Sequence, residues 1–277
     1  LAYLSSAQVL ALSAGEIAAL TTTQVAALTS TQVEALTTTQ VAALETTDIQ
    51  ALNTAQIRSL TPTQIAALTE TQVASLATDD VAVLTSTQIA RLSSTQIAAL
   101  QTGQLVALTT SQVTAFSSTQ LQVLDTADII ALTTTQIQAL TTTQVATLST
   151  DLIGAISTDG LSRLTSTQVA ALVATQIPSL STTSIATLPT AQFSRFTTAQ
   201  VQALTTDQMM ALTTANIVAL TTTQVAGFTS TQLDSLTTSQ IVAFETADLA
   251  ALNSTQAAGL TDNLSVLTLD QVSALFL

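Results

Sequence analysis

Leu20-Thr-Thr-Thr-Gln-Val-Ala-Ala-Leu28-Thr-Ser-Thr-Gln-Val-Glu-Ala-Leu36-Thr-Thr-Thr-Gln-Val-Ala-Ala-Leu44 is one phrase of eight residues said three times. Counting slots from zero at the leucine, slot zero runs Leu20, Leu28, Leu36 and onward to Leu260. Its rare substitutes are Phe116, Ile156, Phe196, Phe228 and Phe244. Slot one is nearly always Thr or Ser, slot four Gln, slot five Val or Ile, and slot seven mostly Ala. The register is unbroken from Leu4 to Gly259, thirty-two octads. Such regularity signals an array rather than an ordinary globular domain.

A half-buried strand would split the two large apolar slots between opposite faces, because zero and five differ by an odd number. One long helix would let the apolar stripe drift by about 80° per octad. A chain of very short helices accounts for four slots at once. Thr or Ser at slot one is an N-cap whose hydroxyl accepts a backbone N–H from the first turn. Gln at slot four is the third helical residue and reaches back to the cap's own N–H, closing a capping box. Leu at slot zero and Val or Ile at slot five then form the hydrophobic pair that brackets the helix start. The expected helix covers slots two to about seven, six residues and roughly 9 Å.

The charges sort the same way. Of seventeen acids, all but Glu34 and Asp234 lie in slots one to four. The four bases, Arg58, Arg91, Arg163 and Arg195, lie in slots six or seven. Anions at a helix start and cations at its end suit the backbone dipole. Pro62 falls at the first helical position, where proline is tolerated. Pro178, at slot six, predicts a local break. Asp151 to Arg163 is the least regular interior stretch, with Leu152 and Gly160 in place of Gln, and reads as a candidate bend. After Leu260 the phase shifts by one residue before Leu267-Thr-Leu-Asp-Gln-Val272 resumes the motif.

The chain of 277 residues carries a net charge of −13, with no lysine, histidine, cysteine or tryptophan. Few bases argue against nucleic acid, whose affinity rests on Lys and Arg. Nucleophile–histidine pairs and zinc sites built on His or Cys are excluded. No apolar run approaches the ~20 residues of a membrane span. Carboxylate pairs remain: Glu45 with Asp48, Asp79 with Asp80, Asp125 with Asp128, Glu245 with Asp248. They could serve as acid and base or hold a calcium ion. Three of the four sit in slots one and four, so a carboxylate capping box accounts for their spacing. Asn253 and Asn263 match the glycan acceptor pattern, and Asn253 also suits an N-cap. We therefore assign no catalytic, cofactor-binding or metal residue, and expect no cofactor and no enzyme.

The phrase Leu-Thr-x-x-Gln-Val/Ile-x-Ala-Leu resembles the first short helix of the repeat in TAL effectors. It is also similar to the Leu-Thr-x-x-Gln helix start of some bacterial periplasmic stress chaperones. The second helix and base-reading residues of TAL repeats have no counterpart here, so that resemblance implies a helix start and not DNA binding. Across the whole chain the tandem octads resemble Thr-rich arrays of very large bacterial surface or adhesion-type proteins. That resemblance implies export and a structural or adhesive role.

The expectation is an all-α solenoid of very short capped helices, one per octad, forming a single continuous array over residues 1–277. It is regular over 4–259 and irregular over 260–277. The alternative is a β-solenoid with about three octads per coil. An octad cannot bury its apolar side chains alone, so neighbours must stack. Leu1-Ala2-Tyr3-Leu4 opens inside an octad, and neither end carries a polar closing repeat. With apolar surface expected in surplus on so thin a rod, the chain reads as a homo-oligomer or homopolymer. It would be a shaft or self-assembling subunit of a secreted or cell-surface bacterial filament, tubular appendage or large adhesin. No nucleic acid and no membrane insertion are expected. The functional alternative is a module that binds ice, glycan or mineral through exposed Thr ladders at slots two and three.

Overall fold

The computed structural model describes residues 3–276. Leu1 and Ala2, which the register places in slots five and six, and Leu277 lie outside the described residues. Among the described residues there are thirty-two α-helices and two 3₁₀ helices, four to eight residues long, and no strand. The chain is an all-α solenoid, and the β alternative is overturned.

The local reason is the cap. At Thr29 the side-chain oxygen accepts the Gln32 N–H at 3.2 Å, and Thr29 N–H donates to Gln32 Oε1 at 2.7 Å. The same closed box recurs through the array, for example at Ser5, Thr61, Thr141 and Thr237. The cap residues of these boxes have an extended backbone, and many helices end at a leucine that is extended again, as at Leu36 and Leu44. One residue thus closes one helix and opens the approach to the next.

Two compact units divide the chain, Leu1–Ala139 and Leu140–Leu277. Within each unit, helices pack against the third one along the chain. Ser30–Ala35 meets Thr54–Ser59, which meets Thr78–Val83. A coil is therefore three octads, and each unit is a stack of such coils with helices aligned in three columns.

From Leu28 to Leu260, slots zero and five face inward and form the core, with Leu or Phe at 0–9 % exposure and Val or Ile at 0–2 %. Slot six is largely exposed and carries Glu34, Arg58 and Met210. The expected surplus of apolar surface along the sides is corrected: three helices per coil enclose a core that a thinner rod could not. Phe193 and Phe196 refill it, their rings 4.8 Å apart.

Irregular sequence gives local adjustments. Pro62 starts the helix Pro62–Ala66. Pro178 converts its helix to the 3₁₀ form, Ala174–Ser179, because it lacks the N–H of an α-helical interior bond. The stretch expected to bend instead keeps two six-residue helices, Thr150–Ala155 and Thr158–Arg163, because Ser149 and Ser157 still cap them. The phase shift after Leu260 is taken up by the 3₁₀ helix Thr261–Val266.

Candidate functional site

The recurring polar feature of the fold is the slot-four glutamine, buried at 1–7 % exposure from Gln32 onward. Its Oε1 accepts the cap N–H of its own helix. Its Nε2 turns to the coil before. Gln64 Nε2 donates to Val33 O at 2.9 Å, Glu34 O at 3.2 Å and Leu36 O at 2.7 Å. Gln240 repeats this with Met209 O, Met210 O and Leu212 O at 2.7, 3.2 and 2.7 Å. These acceptors are carbonyls at the end of a short helix, the groups that a helix C-terminus leaves unpaired. One amide thus satisfies the start of one helix and the end of the fourth helix before it, the one that leads into the helix stacked beneath. We call this contact the amide tie.

The capping half of the tie follows from the motif, whereas the stacking half does not. A signal for it exists in the near-absence of glutamate. A capping box accepts Glu as readily as Gln, and the dipole favours Glu at a helix start, yet slot four holds Glu only at Glu16. Most octads fill the slot with an uncharged N–H donor, and the exceptions are the shorter Asp48, Asp80, Asp128 and Asp248 together with Leu152, Gly160 and Ser184.

Substitutions in the row show what each half contributes. Leu152 and Gly160 have no amide, and their helices keep only the serine cap. Ser184 bonds locally to Ser181, and its hydroxyl meets Thr158 in the coil before at 3.2 Å. Gln192 keeps its bonds to Ser162 O and Leu164 O, but its buried Oε1 has no partner. The cap position there is Pro189, which has no N–H to give.

Of the carboxylate pairs only Asp125 with Asp128 closes the box from both sides, while Glu45 and Glu245 make no side-chain cap bond. Asp125 and Asp128 exchange backbone-to-carboxylate bonds at 3.1 and 2.9 Å. Asp48 accepts the Glu45 N–H at 3.2 Å and Asp80 the Ala77 N–H at 3.3 Å, while Glu45 makes no side-chain cap bond. Asp79, in slot three, is exposed. Burial pushes the carboxyls of Asp48, Asp80, Asp128 and Asp248 above the usual range, against the lowering effect of their hydrogen bonds. The exposed Glu16 moves the other way, held low by the Ser13 N–H and hydroxyl. Among the described residues no three acids come together to hold a metal ion, and no helix is long and apolar enough to cross a membrane. Asn253 caps the helix Ser254–Ala258. Arg163 reaches Asp159 at 3.6 Å on the surface, a contact worth little in water.

Slots two and three form the outer surface of each coil. Thr23, Thr47, Thr71, Thr95 and Thr119 are exposed and fall one coil apart in the first unit. Some of their hydroxyls are already bonded locally, as Thr71 to Thr69 at 3.0 Å and Thr119 to Ser117 at 2.9 Å.

No curated protein matches the chain. The ALTTAQ repeat family matches residues 1–38, 11–46, 41–78, 73–110, 97–134, 121–158, 182–214 and 211–245. These overlapping matches tile most of the octad array, and the motif Ala-Leu-Thr-Thr-x-Gln is the core of the phrase that builds each capped helix. The chain belongs to the ALTTAQ repeat family.

Proposed function

We propose that the chain is a non-enzymatic structural array, a shaft or self-assembling subunit of an extracellular bacterial filament, tubular appendage or large adhesin. The observation that carries this reading is the amide tie. The main recurring polar group of the octad is consumed in holding one coil to the next, and the outward slots carry mostly Thr, Ser and Ala. Freedom from cysteine and lysine suits an exported, protease-exposed rod. The test is light scattering and negative-stain imaging of the purified chain over a wide concentration range. Ordered end-joined or filamentous species are expected, and a monomer at every concentration would overturn the self-assembling form. Surface labelling of intact producing cells tests the location.

A second reading rests on the exposed Thr column from Thr23 to Thr119. Regularly placed hydroxyls and methyls suit a crystalline or glycan surface. Co-sedimentation with insoluble polysaccharide or mineral, or thermal hysteresis in solution, supports it. Loss of that binding on replacing Thr47, Thr71 and Thr95 by Lys would assign it to this column.

A further inference from the structure

We propose that Glu45 and Asp48 form a calcium site that joins the helix Thr46–Ala51 to the end of the helix Ala14–Ala18, one coil earlier in the chain. Elsewhere that junction is made by the slot-four amide. Gln72 shows its geometry, with Nε2 at 3.0, 3.4 and 2.7 Å from the carbonyl oxygens of Val41, Ala42 and Leu44. Three oxygens thus converge on one point. For Asp48 the carbonyls in the same register are those of Ile17, Ala18 and Leu20. The register is held on both sides of it. Gln40 reaches Val9 O, Leu10 O and Leu12 O, and Gln56 reaches Ala26 O and Leu28 O. Leu28 O, Leu36 O and Leu44 O each take a hydrogen bond from a glutamine amide. Leu20 O takes none from slot four, because Asp48 has no N–H on its side chain to give.

Asp48 meets these oxygens with a carboxylate that is 2 % exposed. Its Oδ2 accepts the Glu45 N–H at 3.2 Å, the place that Gln Oε1 takes in other octads. Oδ1 therefore stands on the side where Gln carries Nε2, and it has no hydrogen-bond partner among the described residues. The side chain is one methylene shorter than glutamine, which leaves room between Oδ1 and the carbonyls. A buried charged oxygen facing carbonyl oxygens needs a positive partner. No base supplies one, since Arg163 with Asp159 is the one ion pair among the described residues. Glu45, at the cap position beside slot four, makes no side-chain cap bond and has a second carboxylate to offer. Two carboxylates and a set of carbonyls make an all-oxygen shell of charge −2. That shell suits Ca²⁺, which takes about six to eight oxygens in adaptable geometry, better than Mg²⁺, which demands a tight octahedron.

The other two pairs at this spacing are closed. Asp125 is held as a cap by the Asp128 N–H at 2.9 Å. Asp248 accepts the hydroxyl of Thr222, from the helix packed against its own. Asp80 has Ala77 at slot one and so no second carboxylate there.

The experiment is calorimetric titration of calcium into the metal-free 277-residue chain near pH 7, with thermal melts in calcium and in chelator. One ion per chain is expected, with a Kd of about 10⁻⁴–10⁻³ M, as in extracellular calcium modules, and magnesium roughly tenfold weaker. Calcium should raise the melting temperature. Asp48→Gln installs the residue usual at this slot, so it is expected to fold, and it should abolish both the binding and the melting shift. Glu45→Thr restores the usual cap and should weaken binding roughly tenfold. The control Asp248→Gln should bind as wild type does. A wild-type chain that takes up no calcium overturns the site, as does binding that survives Asp48→Gln. Equal affinity for calcium and magnesium overturns it too, because diffuse screening of a chain with net charge −13 gives that result. Each of these failures leaves the self-assembling reading standing, since that reading does not invoke a metal.

Discussion

Single residues in this fold carry two duties, and the glutamine shows it best. Removing the Gln64 amide strips partners from the Thr61 N–H and from the carbonyls of Val33 and Leu36. Gln64→Ala is expected to cost about 1–3 kcal/mol per group left buried without water. Gln64→Glu is expected to be worse at pH 7, because it sets a buried charge against carbonyl oxygens, and to recover part of the loss near pH 4. Urea titration at the two pH values checks this. Asp80 makes the converse case. Its folded-state pKa is raised, so its contribution is fully present below the ordinary value of 3.8 and is lost as pH rises through the raised value. Asp80→Gln should therefore stabilise by about 1 kcal/mol at pH 7, with the gain shrinking as pH falls through the raised value towards 3.8. Thermal melts of the pair across that window decide it. At this scale the sequence was half legible. Thr29 and Gln32 declare the capping box by spacing alone. The donor side of Gln32 is silent, because an acceptor such as Leu4 O lies a whole coil earlier and becomes a neighbour only once that coil closes.

Each helix survives or adjusts according to its cap and its neighbour in the column. Ser149 and Ser157 suffice to hold helices that Leu152 and Gly160 would otherwise weaken. The hydroxyl bond to the first turn was enough, and the expectation of a bend gave too much weight to the missing amide. Pro189 is the opposite case, a cap without hydroxyl or N–H that strands Gln192 Oε1. Pro189→Thr is expected to supply both bonds and raise stability by about 1 kcal/mol, measurable as an upward shift of the urea midpoint. Close packing sets the other limit. A Cβ on Gly259 would lie 2.4 Å from the Ser230 carbonyl oxygen. Gly259→Ala, although it introduces the residue usual at slot seven, is therefore expected to destabilise by about 1–3 kcal/mol. Hydrogen exchange at Ser230–Asp234 and Ser254–Ala258 should report it locally. That tightness was invisible in the octad, where Ala and Gly look interchangeable.

Repetition gives the whole molecule an unusual grammar. Each helix needs the third one before it, whatever column that helix occupies, so the unit of insertion is the octad and not the coil. Deleting Thr37–Leu44 moves every later helix to a new column and still leaves each amide a set of carbonyls one coil back. It should fold with little more than the loss of one repeat. Deleting only Thr37–Gln40 merges two phrases and breaks a cap, a tie and the register together. Circular dichroism and melting of the two deletions are expected to separate them clearly. The solenoid class, the helix polarity and the array were legible because the octad repeats its evidence thirty-two times. The number of helices per coil was not, since it depends on how three short rods enclose Leu and Val rather than on any one of them. The amide ties described here reach back no further than from Gln64 to Val33, a separation of 31 in the numbering. A nascent segment therefore finds all it must pair with in the turn completed just ahead of it. Such a chain can crystallise along its own length as it leaves a narrow exit, with no distant partner to await.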